Sequence, residues 1–253
     1  MSEWNAVLYD QKHHFVSKFG EHLVDLLSPQ KGESILDLGC GTGDLAYEIS
    51  KYETIVHGMD ASKTMIQQAQ TKYPEIQFTV QDATQAFVHQ QFDAVFSNAA
   101  LHWMKSPKAV VQHVYDALKP NGRFVAEMGG DGNISSIVTA MKASMEELGL
   151  PYIESYFPWY FPTEEEYSEL LQRAGFRIEM ITLYDRPTPL VGEDGIQNWL
   201  HMFSNSIFQD LTASEKEDVC RLCVRKLKPQ LYQNNTWVAD YRRLRFVAIK
   251  REG

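Results

Sequence analysis

Two hydrophobic rhythms alternate along the first half of the chain. Short apolar runs rich in β-branched and aromatic residues occur at 34–38, 54–59, 76–80, 92–96 and 122–128. Between them lie helical patterns at 44–51, 62–72 and 106–118. Strands of this length separated by single helices predict a parallel sheet with right-handed crossovers and helices on both faces. The boundaries carry their own signals. Ser62 stands where an N-cap belongs, and Ser106-Pro107 reads as a cap followed by proline at the first helical position. Pro120-Asn-Gly122 marks the turn into the fifth strand.

After residue 130 the rhythm breaks. A helix is predicted over 133–148, then the aromatic stretch Tyr152-Ile-Glu-Ser-Tyr-Phe-Pro-Trp-Tyr-Phe161. A further helix begins near Thr163, whose spacing to Glu166 has capping-box register, and stops at Gly175. Two last strands are expected at 176–184 and 243–250, with a mainly helical insert over 195–232. The organisation predicted is one domain over 1–253. Its α/β core takes about 30–130, 172–186 and 240–251; a helical and aromatic lid takes 1–20, 131–170 and 190–235.

Charge narrows the partners. Lys and Arg number 24 against 33 Asp and Glu, a net −9. Phosphate-backbone binding needs clustered cations, so nucleic acid is not an expected partner. The basic run 242–251 alternates with apolar residues and reads as a strand with solvated outer positions. No run approaches the ~18 apolar residues of a membrane span, and no basic-then-apolar leader opens the chain, so a cytoplasmic protein is expected. The three cysteines, Cys40, Cys220 and Cys223, are too few for a disulfide framework. The Cys220–Cys223 pair lacks the companions of a zinc site and reads as two small apolar groups on a helix face, so no metal is expected.

The candidate chemistry lies in Ile35-Leu-Asp-Leu-Gly-Cys-Gly-Thr-Gly43. A buried strand runs into Gly39, Gly41 and Gly43, then a helix, so the backbone reverses tightly and can approach a ligand closely. Gly41-Thr-Gly-Asp-Leu-Ala46 also fits a loose dinucleotide pattern. Asp37 argues against that reading, because a carboxylate beside a pyrophosphate is unfavourable, whereas it suits an ammonium or a sulfonium. Asp60 ends the second strand and can accept both hydroxyls of a ribose. Asp82 follows the third and can take an adenine amino group. Three acidic strand ends favour a cationic adenosyl ligand over NAD.

These segments resemble the class I S-adenosylmethionine (SAM)-dependent methyltransferases. Leu36-Asp-Leu-Gly-Cys-Gly-Thr-Gly43 is similar to their signature, and Gly58-Met-Asp-Ala-Ser62, Gln81-Asp82-Ala83, residues 92–98 and 118–124 are similar to the later motifs in order. The N-terminal Trp4-Asn-Ala-Val-Leu-Tyr9, Leu101-His-Trp103 and 161–176 resemble the trans-aconitate methyltransferase branch. The resemblance implies a Rossmann-like seven-stranded sheet, strand seven antiparallel, and SAM as cofactor. It further implies Gly39, Gly41 and Gly43 against the methionine half, with Asp37 near the ammonium. Asp60 would sit on the ribose, Ala61 and Met65 beside the adenine, and Asp82 with the Ala83 backbone at its amino group. Asn98 and Ala99 would line the methyl path.

Methyl transfer from a sulfonium is an in-line displacement, so the protein chiefly aligns the acceptor and excludes water. A carboxylate acceptor needs no base; a phenol or protonated amine does. Ser97-Asn-Ala-Ala-Leu-His-Trp103 lacks the Pro-Pro-aromatic run associated with methylation of adenine or glutamine nitrogen. His102 is the candidate base, set against a purely structural histidine. Tyr9, His102 and Trp103 are the expected acceptor contacts, from an aromatic set that includes Trp4, Tyr156, Trp159 and Tyr160. Trp199 and Phe203, at helical spacing, are expected in the core, and His13 and His14 on an N-terminal helix. The reading is methylation of a small molecule, possibly a carboxylate. The alternatives are a polypeptide acceptor, SAM binding without turnover, and an NAD-dependent oxidoreductase.

Overall fold

The five leading strands of the main sheet are parallel, and of the two that join it later one shares their direction and the other runs against it. A computed structural model describes residues 22–85 and 91–251. The parallel strands are β1 (Ser34–Leu38), β2 (Ile55–Asp60), β3 (Gln77–Val80), β4 (Phe92–Asn98) and β5 (Leu118–Gly129). Helices α1 (Asp44–Ser50), α2 (Lys63–Lys72) and α3 (Pro107–Ala117) alternate with them. Next come α4 (Ser135–Glu147), α5 (Glu164–Arg173), β6 (Phe176–Asp185), β7 (Thr188–Pro189), α6 (Gly195–Phe203) and α7 (Ala213–Leu231). The chain ends in β8 (Tyr232–Gln233), β9 (Thr236–Ala239) and β10 (Arg242–Lys250).

The seven-stranded sheet has the order β3-β2-β1-β4-β5-β10-β6. The chain winds outward from β1 in one direction and from β4 in the other. Their adjacent carboxyl ends therefore form the switch-point crevice where open α/β sheets bind ligands. β10 is inserted antiparallel between β5 and β6, with Arg243 opposite both Gly129 and Tyr184. Its amino-terminal half thus lies at the ligand edge.

Caps bear out most boundary signals. The Ser62 hydroxyl accepts from Met65 N at 3.3 Å, and Thr163 with Glu166 closes a capping box. Pro107 does open α3, but the Ser106 side chain makes no capping hydrogen bond. The second correction is larger. In the run read as a strand with solvated outer charges, Arg243 and Lys250 are buried. β10 lies inside the sheet with both faces packed, Leu244 and Phe246 in one apolar cluster and Val247 against the other, so its alternate positions are withheld from water. Lys250 Nζ instead donates to the Tyr115 and Leu118 carbonyls, both at 2.7 Å, at the carboxyl end of α3.

Two apolar clusters sandwich the sheet. One joins Val110, Val111 and Val114 of α3 with Phe124, Tyr167 and Phe246. The other packs Ile35, Phe96 and Val125 against Leu23 and Leu27. A third cluster stands beside them, built from Ile137 and Met141 of α4, Trp199 of α6, Val219 and Cys223 of α7, and Trp159. Cys220 and Cys223 are buried there, and the Cys223 thiol contacts Ser144 Oγ at 3.4 Å. The sequence pattern did not foresee the small sheet β7-β9-β8 that completes this cluster. Its strands span two to four residues, too short for a periodicity signal.

Candidate functional site

The turn after β1 is built from three glycines with two different duties. Gly39, Gly41 and Gly43 all have positive φ, at 76°, 55° and 86°, which side chains resist. A Cβ on Gly39 would stand 2.2 Å from the Ala100 Cβ, and one on Gly43 would stand 2.7 Å from the Phe78 ring. Those two glycines permit packing. A Cβ on Gly41 would meet nothing within 4 Å, so this backbone faces open space.

Backbone donors at the turn converge on the end of β2. Gly39 N and Cys40 N donate to the Met59 carbonyl at 2.7 and 3.1 Å. The Asp60 carboxylate accepts from Gly41 N at 3.0 Å and from Ser62 N at 2.8 Å. Asp60 therefore ties the glycine turn to the start of α2 while keeping lone pairs on both oxygens. Burial raises its pKa, partly offset by these two backbone donors.

Asp37 is the outlier. Its side chain is 2% exposed, and Oδ2 has no hydrogen-bond partner. Burial first, and the neighbouring Asp60 charge second, push its pKa up to about 7, although the Ala46 backbone N–H favours the ionised form. An orphaned buried carboxylate oxygen near an open glycine backbone fits a ligand that carries an ammonium. Among the described residues, no set of His, Cys, Asp or Glu could hold a metal.

The other predicted cofactor positions follow along the same edge. Asp82 Oδ1 accepts from both the backbone and the hydroxyl of Thr84 at 2.8 Å. Ala83 is buried, and its carbonyl lies 3.1 Å from His113 Nδ1. Met65 is buried and Ala61 exposed. Asn98 ends β4 opposite Glu127 of β5. Ala99 has φ 55°, and its N–H donates to the Glu127 carbonyl at 2.8 Å.

Across β4 and β5 the chemistry changes. His102 lies in a 3₁₀ turn, Leu101–Trp103, and is 7% exposed. Its Nδ1 accepts the Gly129 N–H at 3.2 Å. Burial, then Arg243 and Arg186, hold its pKa well below the ordinary histidine range. Trp103 packs on Trp159 and Phe203, and Phe161 lies 5.9 Å from the imidazole, ring centre to ring centre. Trp199 is buried and Phe203 packs against that cluster. The Tyr160 N–H donates to the His102 carbonyl at 2.8 Å. The Tyr156 hydroxyl instead pairs with Asp210 at 2.6 Å. Trp4, Tyr9, His13 and His14 lie outside the described residues.

Beside His102 stands a polar group that the sequence did not reveal. Glu127, 2% exposed, accepts from Arg186, Tyr184 and Arg245. Arg243, buried as well, lies over the Tyr241 ring at 4.3 Å. The one available signal was the alternation of Arg243 and Arg245 with apolar residues in a run destined for the sheet interior.

Comparisons with known proteins agree with this geometry. A methyltransferase domain family matches residues 35–122. An uncharacterized methyltransferase of Schizosaccharomyces pombe, C70.08c, is 35% identical over 98% of both chains. Trans-aconitate 2-methyltransferase of Escherichia coli O157:H7 is 26% identical over the full length of both. Among solved structures, the Haemonchus contortus phosphoethanolamine N-methyltransferase 2 in complex with SAM is similar, with a TM-score of 0.56 at 22% identity. It covers 88% of this chain and 50% of that one. With its antiparallel seventh strand and acid-lined glycine turn, the chain belongs to the class I methyltransferases, and S-adenosylmethionine is its cofactor.

Proposed function

We propose that the protein transfers the methyl group of SAM to a carboxylate of a small-molecule acid. The observation that carries this reading is the hydrogen bond from Gly129 N–H to His102 Nδ1. A neutral imidazole that accepts at Nδ1 carries its proton at Nε2. Two arginines and burial keep the ring neutral. His102 is then a donor with no free basic nitrogen, so it suits an acceptor that arrives already ionised. A carboxylate is such a nucleophile; a phenol or an ammonium is not. The general-base role considered for His102 from sequence gives way to that of a hydrogen-bond donor. Trans-aconitate, in the name of one relative, is a carboxylic acid.

SAM supplies a methyl carbon on a positively charged sulfur. The chain's own residues bind and orient the partners. Asp37 takes the ammonium, and its unpartnered Oδ2 is the atom that does so. Asp60 accepts from the ribose hydroxyls with the lone pairs that Gly41 and Ser62 leave over. Gly39, Gly41 and Gly43 lie along the methionine half. Met65 and Ala61 flank the adenine, and Asp82 with the Ala83 backbone reads its amino group. Asn98 and Ala99 border the methyl path, and His102 and Trp103 the acceptor.

Calorimetry with S-adenosylhomocysteine and with NADH tests the cofactor assignment: only the first should bind. A panel of small carboxylic acids, phenols and amines with labelled SAM, read by mass spectrometry, tests the acceptor. A methyl ester is expected; products confined to phenols or amines would refute the carboxylate reading.

A further inference from the structure

Arg243 is a buried cation whose obvious counter-ion is already engaged. Its side chain is 5% exposed and its Nε has no hydrogen-bond partner. Glu127 is the anion in its neighbourhood, but both Glu127 oxygens are taken. Oε1 receives Arg186, and Oε2 receives the Tyr184 hydroxyl together with Arg245, at 2.8 Å from Nε and 2.6 Å from Nη2. Among the described residues no carboxylate forms an ion pair with Arg243; its neighbour is the Tyr241 ring. Arg186 and Arg245 thus occupy that carboxylate, and the buried Arg243 stands beside them with no ion pair of its own. Burying a charge without a partner is costly, so a guanidinium left in this way points to an anionic ligand.

Position decides which ligand. Arg243 is opposite Gly129, the residue whose N–H meets His102. β10 is three strands from β1, roughly 14 Å at ~4.8 Å per strand. That separation removes Arg243 from the glycine turn and places it on the His102 side of the sheet edge. We propose that Arg243 is a specificity-determining residue of the acceptor pocket. Its guanidinium takes an oxyanion of the acceptor, a carboxylate or a phosphate, that is separate from the group receiving the methyl. This rests on the methyl-transfer reading above. Glu127 fixes Arg186 and Arg245 around the site and leaves Arg243 to the ligand. A planar guanidinium suits the task, since it can grip either oxyanion with two parallel donors.

The test uses the full chain saturated with S-adenosylhomocysteine and three probes, each titrated by calorimetry. Trans-aconitate carries several carboxylates, 3-phosphoglycerate a carboxylate and a phosphate, and crotonate a single carboxylate. One of the first two should bind at least tenfold more tightly than crotonate, and which one assigns the second oxyanion as carboxylate or phosphate. Arg243→Gln should erase that preference and Arg243→Lys should keep part of it. Both should leave S-adenosylhomocysteine affinity within twofold. Arg243→Met supplies a second readout, because removing an unpartnered buried charge should raise the melting temperature of the ligand-free protein. No preference in the wild type, an undiminished preference in Arg243→Gln, or a lowered melting temperature in Arg243→Met would each overturn the proposal. Failure of S-adenosylhomocysteine to bind the wild type would instead strike the methyl-transfer reading, while the melting temperature still reports on Arg243.

Discussion

The ligand edge of one sheet carries opposite charge at its two ends. At β1, β2 and β3 it presents Asp37, Asp60 and Asp82; past β4 and β5 it presents Arg186, Arg243 and Arg245 near a single glutamate. Each end also strains its own titration in a characteristic direction. Asp37 is pushed up by burial and by a like charge, and His102 is pushed down by burial and by two cations. Opposite fields along a low-dielectric crevice sort two ligands by charge before any shape is read. A sulfonium nucleoside suits the first end and an acid suits the second.

The sharpest way to break the acidic end is steric. Gly39→Val would drive a side chain into Ala100 from a backbone at φ 76°. We expect S-adenosylhomocysteine affinity to fall by more than about 100-fold in calorimetry. Next comes Asp60→Ala, which orphans the Gly41 and Ser62 N–H groups as well as the ribose. A loss of roughly 10–100-fold is expected; unchanged affinity would remove Asp60 from the site.

Acidity sharpens the comparison further. If the ammonium needs ionised Asp37, affinity should climb roughly tenfold between pH 6 and 8, because a pKa of about 7 is crossed. Asp37→Asn should flatten that slope. The ligand-free protein should behave in the opposite sense. Folding raises the Asp37 pKa, so the native state binds more protons than the unfolded chain between about pH 4 and 7. Its stability should therefore fall as pH rises through that window, which thermal melts of wild type and Asp37→Asn can compare. The smallest effect is expected at the other end. His102→Leu should raise the acceptor KM about fivefold with kcat within twofold, as befits a lost hydrogen bond rather than a lost base.

The two ends were not equally legible in the sequence. Gly39 to Gly43, Asp60 and Asp82 fall at strand ends within a regular strand–helix repeat, so each position follows from local pattern alone. The same regularity announced a parallel sheet with helices on both faces, and the caps at Ser62 and Thr163 marked helix starts. The cationic end is assembled from residues 102, 127, 186, 243 and 245, which meet only because β10 inserts between β5 and β6. No local periodicity announces a pairing over that distance. Arg243 and Arg245 therefore looked like the solvated outer positions of a strand. The missing cap bond of Ser106 and the two-residue strands β7 and β8 were invisible for the same reason: tertiary context decides them.

The contact between Gly39 and Ala100 has a mechanical consequence. A Cβ built on Gly39 would stand 2.2 Å from that of Ala100, so no methyl-sized gap separates the two loops. One is the glycine turn proposed to hold the nucleoside, and the other leads within two residues to His102. A rigid wall is thereby common to both compartments, and a displacement of the first cannot be absorbed before it reaches the second. Any enlargement of residue 100 should consequently disturb both halves of the catalytic cycle together.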